Sequence, residues 1–166
     1  MENRKPKIRL YVQADLSTST ALQLNKQQAN YLFNVMRLNP GDLIFLIDGK
    51  TGEYISEITR REARGGTLKI ISKNRNLSFP SDLWLLFSPI KKTRTDFIVE
   101  KATELGVKQI RPIVCSRTNS HNFRTKRMNA IMIEALEQCG GTFLPKVHEP
   151  SSLKDVLREW PSERQL

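Results

Sequence analysis

The stretch that most limits what this chain can fold into runs from residue 88 to 118, SPIKKTRTDFIVEKATELGVKQIRPIVCSRT. An apolar run, Leu83 to Ile90, leads into it with the length and composition of a buried strand. A basic turn carrying Lys91, Lys92 and Arg94 follows, and then a helix. Thr93 or Thr95 is its expected cap, and Asp96 falls in the first turn, where the helix dipole favours an anion. Gly106, just after Leu105, is placed to close the C-terminus in the left-handed conformation. Phe97, Ile98, Ala102 and Leu105 are spaced to share an apolar face, and Gln109 to Cys115 reads as a second strand. Strand, helix and strand in succession predict a βαβ unit with parallel strands and a right-handed crossover.

Upstream, residues 8–12 alternate like a half-buried strand, and Leu24 to Leu38 predicts a helix capped by Asn25. Its apolar face is Ala29, Leu32, Phe33 and Met36. After the turn Asn39-Pro40-Gly41-Asp42 come three short strands, Leu43 to Asp48, Glu53 to Thr59 and Thr67 to Ser72. One helix among closely spaced strands predicts a small barrel. Lys73 to Asp82 is polar, holds a proline and lacks periodicity, so it reads as a linker. The expected division is a barrel over residues 1–75, a linker over 76–82 and an α/β domain over 83–166.

Downstream, Met128, Ile131, Met132, Ala135, Leu136 and Cys139 follow the spacing of an amphipathic helix ended by Gly140 and Gly141. Phe143 to His148 is a short strand, and Ser151-Ser152 caps a last helix, Leu153 to Trp160. The second half thus reads as a three-stranded parallel sheet covered by helices. Such a sheet leaves its outer strands open, which favours further sequence after Leu166.

No run approaches the roughly 18 apolar residues of a membrane span, and the charged N-terminus is no secretory signal. Cys115 and Cys139 are too few for a disulfide framework and are expected to be buried thiols of a cytoplasmic protein. His121 and His148 add no metal-ligand spacing, so no metal is expected. The net charge of +10 favours a polyanionic partner. Between Glu104 and Glu134 there is no acid, while Lys108, Arg111, Arg117, Arg124, Lys126 and Arg127 all fall there. A solvated basic face is the plain alternative. A nucleic-acid footprint is favoured, because runs of one sign that long are uncommon on mixed surfaces.

Motifs for phosphate loops, dinucleotide folds, zinc proteases and redox dithiols are missing, and no serine sits in a nucleophile elbow. Glu100, Lys101 and Glu104 occupy one side of the central helix, spaced as a surface ion pair.

Several strings carry a resemblance: NYLFNVMRLNPGD (Asn30 to Asp42), the turn Asp48-Gly49, FIVEKATELGVKQIRPIVCSR (Phe97 to Arg117) and EALEQCGGTFLPKV (Glu134 to Val147). They resemble the bacterial 16S ribosomal RNA uridine-N3 methyltransferases, the small-subunit methyltransferase E family of the SPOUT superfamily. The resemblance implies an α+β/α/β chain: a PUA-like RNA-binding β-barrel, then a Rossmann-like SPOUT domain of the trefoil-knot family. It also implies S-adenosylmethionine as cofactor, a homodimer, and methylation of N3 of one uridine in 16S ribosomal RNA of the small subunit. The glycine-rich IGPEGGF-like and L-G-x-R-x-L-R-x-E-T-A-like segments that build the knot and hold the cofactor do not occur, so the SPOUT domain is expected to be incomplete and to lack knot and cofactor pocket. Gly141 stands where the family pattern E-Q-x-x-R has arginine.

Carried over position by position, the RNA contacts implied are Arg9 and Arg37 in the first half and Lys91, Lys92, Arg94 and Arg117 in the second. Arg124, Lys126 and Arg127 join them from the acid-free run. Lys101, Glu104, Glu137 and Gln138 match motif positions, and Lys101, Glu104 and Gln138 are the catalytic candidates. For Lys101 and Glu104, an ion pair orienting the helix stands beside substrate contact. Two functions remain open: an RNA methyltransferase, and an RNA-binding module without catalysis.

Overall fold

Ile44, Leu46, Ile58 and Leu68 are fully shielded from solvent and lie on one face of a five-stranded sheet. The computed structural model describes residues 5–116, 118 and 123–165. They form two units: Met1–Phe79 with Glu137–Phe143, and Pro80–Leu136 with Leu144–Leu166.

The first unit holds β1 (Arg9–Tyr11), β2 (Ala21–Leu24), β3 (Leu43–Ile47), β4 (Gly52–Arg61) and β5 (Gly66–Asn76), in the order β1-β3-β4-β5-β2. β1 runs parallel to β3 and the other pairs are antiparallel. Both edge strands feed one core, through Leu10 and Leu24. The β4–β5 register shifts at three places, and such bulges add twist, which curls the sheet around that core. Buried Asp48 ties the loop before β2 to the β3–β4 turn, accepting from the N–H groups of Leu16 (3.3 Å), Lys50 (2.9 Å) and Thr51 (2.8 Å).

The helix expected over Leu24 to Leu38 is shorter and of two kinds. Leu24 ends β2, Asn25 caps α1 (Lys26–Asn30) in a capping box with Gln28, and a π-helical turn, Tyr31–Val35, follows. The Met36 N–H reaches back five residues to the Tyr31 carbonyl, and this wider turn rotates Met36 out of the core into solvent. The expected linker is also corrected at its start. β5 continues to Asn76 because that residue pairs with Gly52 on β4.

The outer face of this sheet is covered by Glu137–Phe143. Tyr11 N–H donates to Glu137 Oε1 (2.7 Å), Arg75 Nη2 to the Gly140 carbonyl (2.8 Å), and Ser78 N–H to Thr142 Oγ1 (2.9 Å). Beneath that cover lies Glu53, 1% exposed. It accepts from Arg9 Nε (2.7 Å), Asn74 Nδ2 (2.6 Å) and Arg75 Nε and Nη2 (2.9 and 2.8 Å).

In the second unit, β6 (Trp84–Phe87), β7 (Gln109–Val114), β8 (Lys146–Val147) and β9 (Ser151–Ser152) make a four-stranded parallel sheet rather than the three strands expected. β7 is central, and β8 and β9 pair with successive parts of it. Ser152 also caps α4 (Leu153–Arg158), as expected.

Between β6 and β7 runs α2 (Lys92–Glu104), and α3 (Thr125–Cys139) follows β7. The buried stripe of α2 is Thr95, Val99, Ala102 and Thr103, whereas Phe97 and Leu105 are 59% and 82% exposed. The apolar face read from the sequence is therefore rotated. Thr103 Oγ1 donates to the Val99 carbonyl (2.8 Å), so a hydroxyl satisfied by its own helix takes a place in the core that apolar counting misses. Gly106 closes α2 as expected, at φ +76°, with Val107 N–H on the Ala102 carbonyl and Gly106 N–H on that of Thr103. Cys115 and Cys139 are exposed rather than buried, since one lies just past β7 and the other on the last residue of α3.

Trp84 anchors this unit's C-terminal stretch. The guanidinium carbons of Arg164 and Arg111 lie 3.9 and 4.3 Å from its ring centroid, Trp160 meets it edge-on, and its Nε1 donates to Asp82 (3.1 Å). Trp84→Ala is expected to cost about 3 kcal/mol, and Trp84→Phe distinctly less. Urea unfolding checks both; equal midpoints for the two variants would contradict the ring-stacking account.

Candidate nucleic-acid interface

The basic turn before α2 puts three exposed cations where a helix least accommodates them. Lys91 occupies the cap position, Lys92 and Arg94 fall in the first turn, and no acid or capping side chain accompanies them. The expected cap, Thr93 or Thr95, is corrected. Thr95 lies buried inside the first turn, where its hydroxyl accepts from the Ile90 N–H (3.0 Å) and donates to the Ile90 carbonyl (3.2 Å). The helix thus begins earlier and leaves its first N–H groups open at the end where the dipole is positive.

α3 begins in the same way. Arg124, exposed, gives its carbonyl to the N–H groups of Arg127 and Met128, exposed Lys126 follows, and the first turn holds no acid. Asp96 and Arg127 join the two helix ends in an ion pair. Two cation clusters some thirty residues apart in sequence are thereby brought to one place. That place is the carboxyl edge of the parallel sheet, because each helix follows its strand there. The loops behind are tied by a Ser88–Thr118 hydroxyl bond and by Cys115 N–H donating to Thr118 Oγ1 (2.9 Å). α4 provides the contrast, with Asp155 in its first turn. Cations at a helix N-terminus oppose the dipole unless an anion joins them, so this edge has the charge and the open N–H donors of a phosphate site.

Of the predicted contacts, Lys91, Lys92, Arg94, Arg124 and Lys126 share this edge, while Arg127 is spent on Asp96. Arg117 lies outside the described residues. Arg9 is held by Glu53 in the first unit, over the Phe45 ring. Arg37 is exposed at φ +57°, just past the π turn.

Of the catalytic candidates, Lys101 and Glu104 meet on the surface of α2. Lys101 lies about 15 Å along α2 from Lys91. Its Nζ meets Glu100 and Glu104, each at 2.8 Å, on the helix surface. The hydrogen bonds it donates to Glu100 and then to Glu104 raise its pKa, which favours the charged form and opposes a role as base. Gln138 is exposed, and Glu137 accepts from Tyr11. Gly140 is held close to Arg9: a Cβ there would sit 3.1 Å from its guanidinium. Sequence reading missed Glu53, Asn74 and Arg75, and no local signal marks Glu53, since the segment that covers it, Glu137–Phe143, lies some eighty to ninety residues further along the chain.

Comparison with known proteins follows the same division. The profile of the RNA methyltransferase PUA domain matches residues 24–71, and that of the RNA methyltransferase domain matches residues 77–166. A crystal structure of a ribosomal RNA small subunit methyltransferase E from Neisseria gonorrhoeae, bound to S-adenosyl methionine, is similar with a TM-score of 0.85 at 28% identity, over 94% of this chain and 66% of that one. The proteins of the same name from Buchnera aphidicola (subsp. Acyrthosiphon pisum) and Rickettsia conorii are 27% and 22% identical over 87% and 91% of this chain. This chain spans 60% and 62% of their respective lengths. With the methyltransferase profile covering more than half of its residues, the chain belongs to the RNA methyltransferase domain family.

Proposed function

We propose that the protein recognises small-subunit ribosomal RNA as a methyltransferase that takes its methyl group from S-adenosylmethionine and acts on N3 of a uridine. The observation that carries this reading is the pair of cation-bearing, acid-free helix N-termini joined by Asp96 and Arg127 at the carboxyl edge of the sheet. Open α/β sheets bind their ligands at that edge.

The cofactor itself does not fit the described residues of this edge. The cavity lined by Pro89, Thr95, Asp96, Phe123, Arg127 and Met128 has a volume of about 10 Å³, room for about one water. No methyl-transfer step is therefore routed through it. The small cavity and the surface pairing of Lys101 favour a second reading, in which these residues bind RNA without catalysis.

Fluorescence anisotropy with a 16S ribosomal RNA fragment tests the interface. Replacing Lys92, Arg94, Arg124 and Lys126 by alanine is expected to lower the slope of log affinity against log salt by about 2.8, or 0.7 per phosphate contact on a single strand. An unchanged slope would remove these helix ends from the interface. Calorimetric titration of the same chain with S-adenosylmethionine separates the two readings. Absence of heat, with RNA binding intact, matches recognition alone; micromolar binding would mean that the pocket is built from residues assigned here to structure.

A further inference from the structure

On the parallel sheet of the second unit, successive side chains point to opposite faces. Leu85, Phe87, Ile110 and Val147 form one core with Val99 and Ala102 of α2 and Met128 and Met132 of α3. The register sets Trp84 beside Gln109 and Gln109 beside Lys146, so these three cross the other face in a row. Arg111, two residues past Gln109, and His148, two past Lys146, follow on that face. Backbone bonds hold them there: Lys146 N–H donates to the Lys108 carbonyl (3.1 Å) and His148 N–H to that of Ile110 (2.9 Å). Parallel sheets ordinarily carry apolar residues on both faces, and here one face gathers three basic side chains.

The Gln109 side chain joins two of them. Its Oε1 accepts from Arg111 Nε (3.2 Å) and meets His148 Nε2 at 2.9 Å. Arginine only donates, so the shared amide atom is the oxygen, and the imidazole nitrogen facing it carries the proton. Nδ1 is then the bare nitrogen of the neutral ring. Arg111 rests over the Trp84 ring and gives Nε to Gln109, which leaves its terminal N–H donors for a ligand.

No carboxylate pairs with Arg111, Lys146 or His148 among the described residues. Asp82 is committed to Lys108 and Arg164, and Asp155 to Arg158. Glu149, next to His148 in the chain, is exposed and makes no ion pair among the described residues. Burial first, and then the charges of Arg111 and Lys146, hold the His148 pKa below its ordinary value of 6.5. The cluster is short of negative charge.

We propose that Arg111, Lys146 and His148 form a binding site for a phosphate dianion, seated on the Arg111 terminal nitrogens and the Lys146 ammonium. As the anion binds, His148 Nδ1 takes a proton from solvent and becomes the third donor. A phosphate monoester carries about two negative charges, whereas each phosphodiester of an RNA strand carries one, so the dianion matches this cluster better. The site is separate from the cation-bearing helix ends. Trp84, Gln109 and Lys146 begin their strands, which places it at the amino edge of the sheet. Free phosphate and the terminal phosphate of a nucleotide share this chemistry.

The test is calorimetric titration of the full chain with inorganic phosphate and with uridine 5′-monophosphate. It is run slightly above neutral pH, in buffers of different ionisation enthalpy at matched ionic strength. Lys146→Ala is expected to weaken binding about tenfold, the loss of one charge-assisted hydrogen bond, and Lys146→Arg to restore it. Lys146 is exposed, so the melting temperature should hold. His148→Gln still donates to Gln109 but cannot take up a proton. The parent should therefore gain a proton on binding that this variant does not, a difference that a structural role alone would not produce. Tighter binding of the nucleotide assigns the site to a terminal phosphate, and equal or weaker binding assigns it to the free ion. The variant lacking Lys92, Arg94, Arg124 and Lys126 should bind phosphate like the parent; loss of binding there would move the site to the helix ends. Absence of heat at millimolar concentrations of both probes overturns the proposal. So does Lys146→Ala binding like the parent, or displacement of phosphate by an RNA without terminal phosphates.

Discussion

Glu53→Gln is expected to destabilise the protein by about 1–3 kcal/mol, because a buried carboxylate loses its charge-assisted hydrogen bonds while Arg9 and Arg75 keep part of their contact with water. Domains of this size are held by about 5–15 kcal/mol in all, so urea should unfold the variant at a much lower midpoint. Glutamine keeps the shape but leaves two guanidiniums, Arg9 and Arg75, without the charge that holds them. Glu57→Gln, on the same strand and half-buried, is the control and should shift stability by under about 0.5 kcal/mol.

The pair also fixes a pH dependence. Burial is the largest single influence on the Glu53 carboxyl and raises its pKa, but the hydrogen bonds from Arg75, Arg9 and Asn74 together bring it below the ordinary value of 4.5. A carboxyl whose pKa falls on folding contributes stability that is complete above its unfolded pKa and lost as pH drops through the folded one. The parent should therefore lose stability as pH falls below about 4.5, and part of that loss should vanish in Glu53→Gln. Identical acid profiles for the two chains would refute the pairing as a source of stability.

Gly52→Ala is the second large effect. Gly52 sits at φ +126°, and a Cβ there would lie 2.3 Å from the Arg75 carbonyl oxygen, on the strand that carries the Glu53 partners. Strain and collision add, and the loss should exceed about 3 kcal/mol. Gly41→Ala isolates the first term: φ is +93° but nothing lies within 4 Å of the added carbon. Its cost should be about 1–2 kcal/mol. Equal urea midpoints for the two alanine variants would show that the β4–β5 backbone yields to the methyl group.

Where local chemistry decides, the sequence was readable. Asn25 capped α1, Gly106 ended α2, and the apolar runs of β6 and β7 paired in parallel around α2. It misread places where a neighbour overrides local pattern. Thr95 and Thr103 enter the core because backbone groups satisfy their hydroxyls, and this turns Phe97 and Leu105 outward. The π turn broke the 3.6-residue period that placed Met36 inside.

The site divides in the same way. One-signed charge near Lys91 and Arg124 was visible in the chain, because counting charge needs no coordinates. Tertiary structure alone brought those cations to one edge, through the Asp96–Arg127 pair, and half-buried Arg9 by pairing it with Glu53. Strand and helix periods, caps and turns depend on neighbours within a few residues, and sequence determines them. Burial of a charge depends on which distant segment covers it, and for Glu53 only the packing of Glu137–Phe143 on the outer face of the sheet decided that.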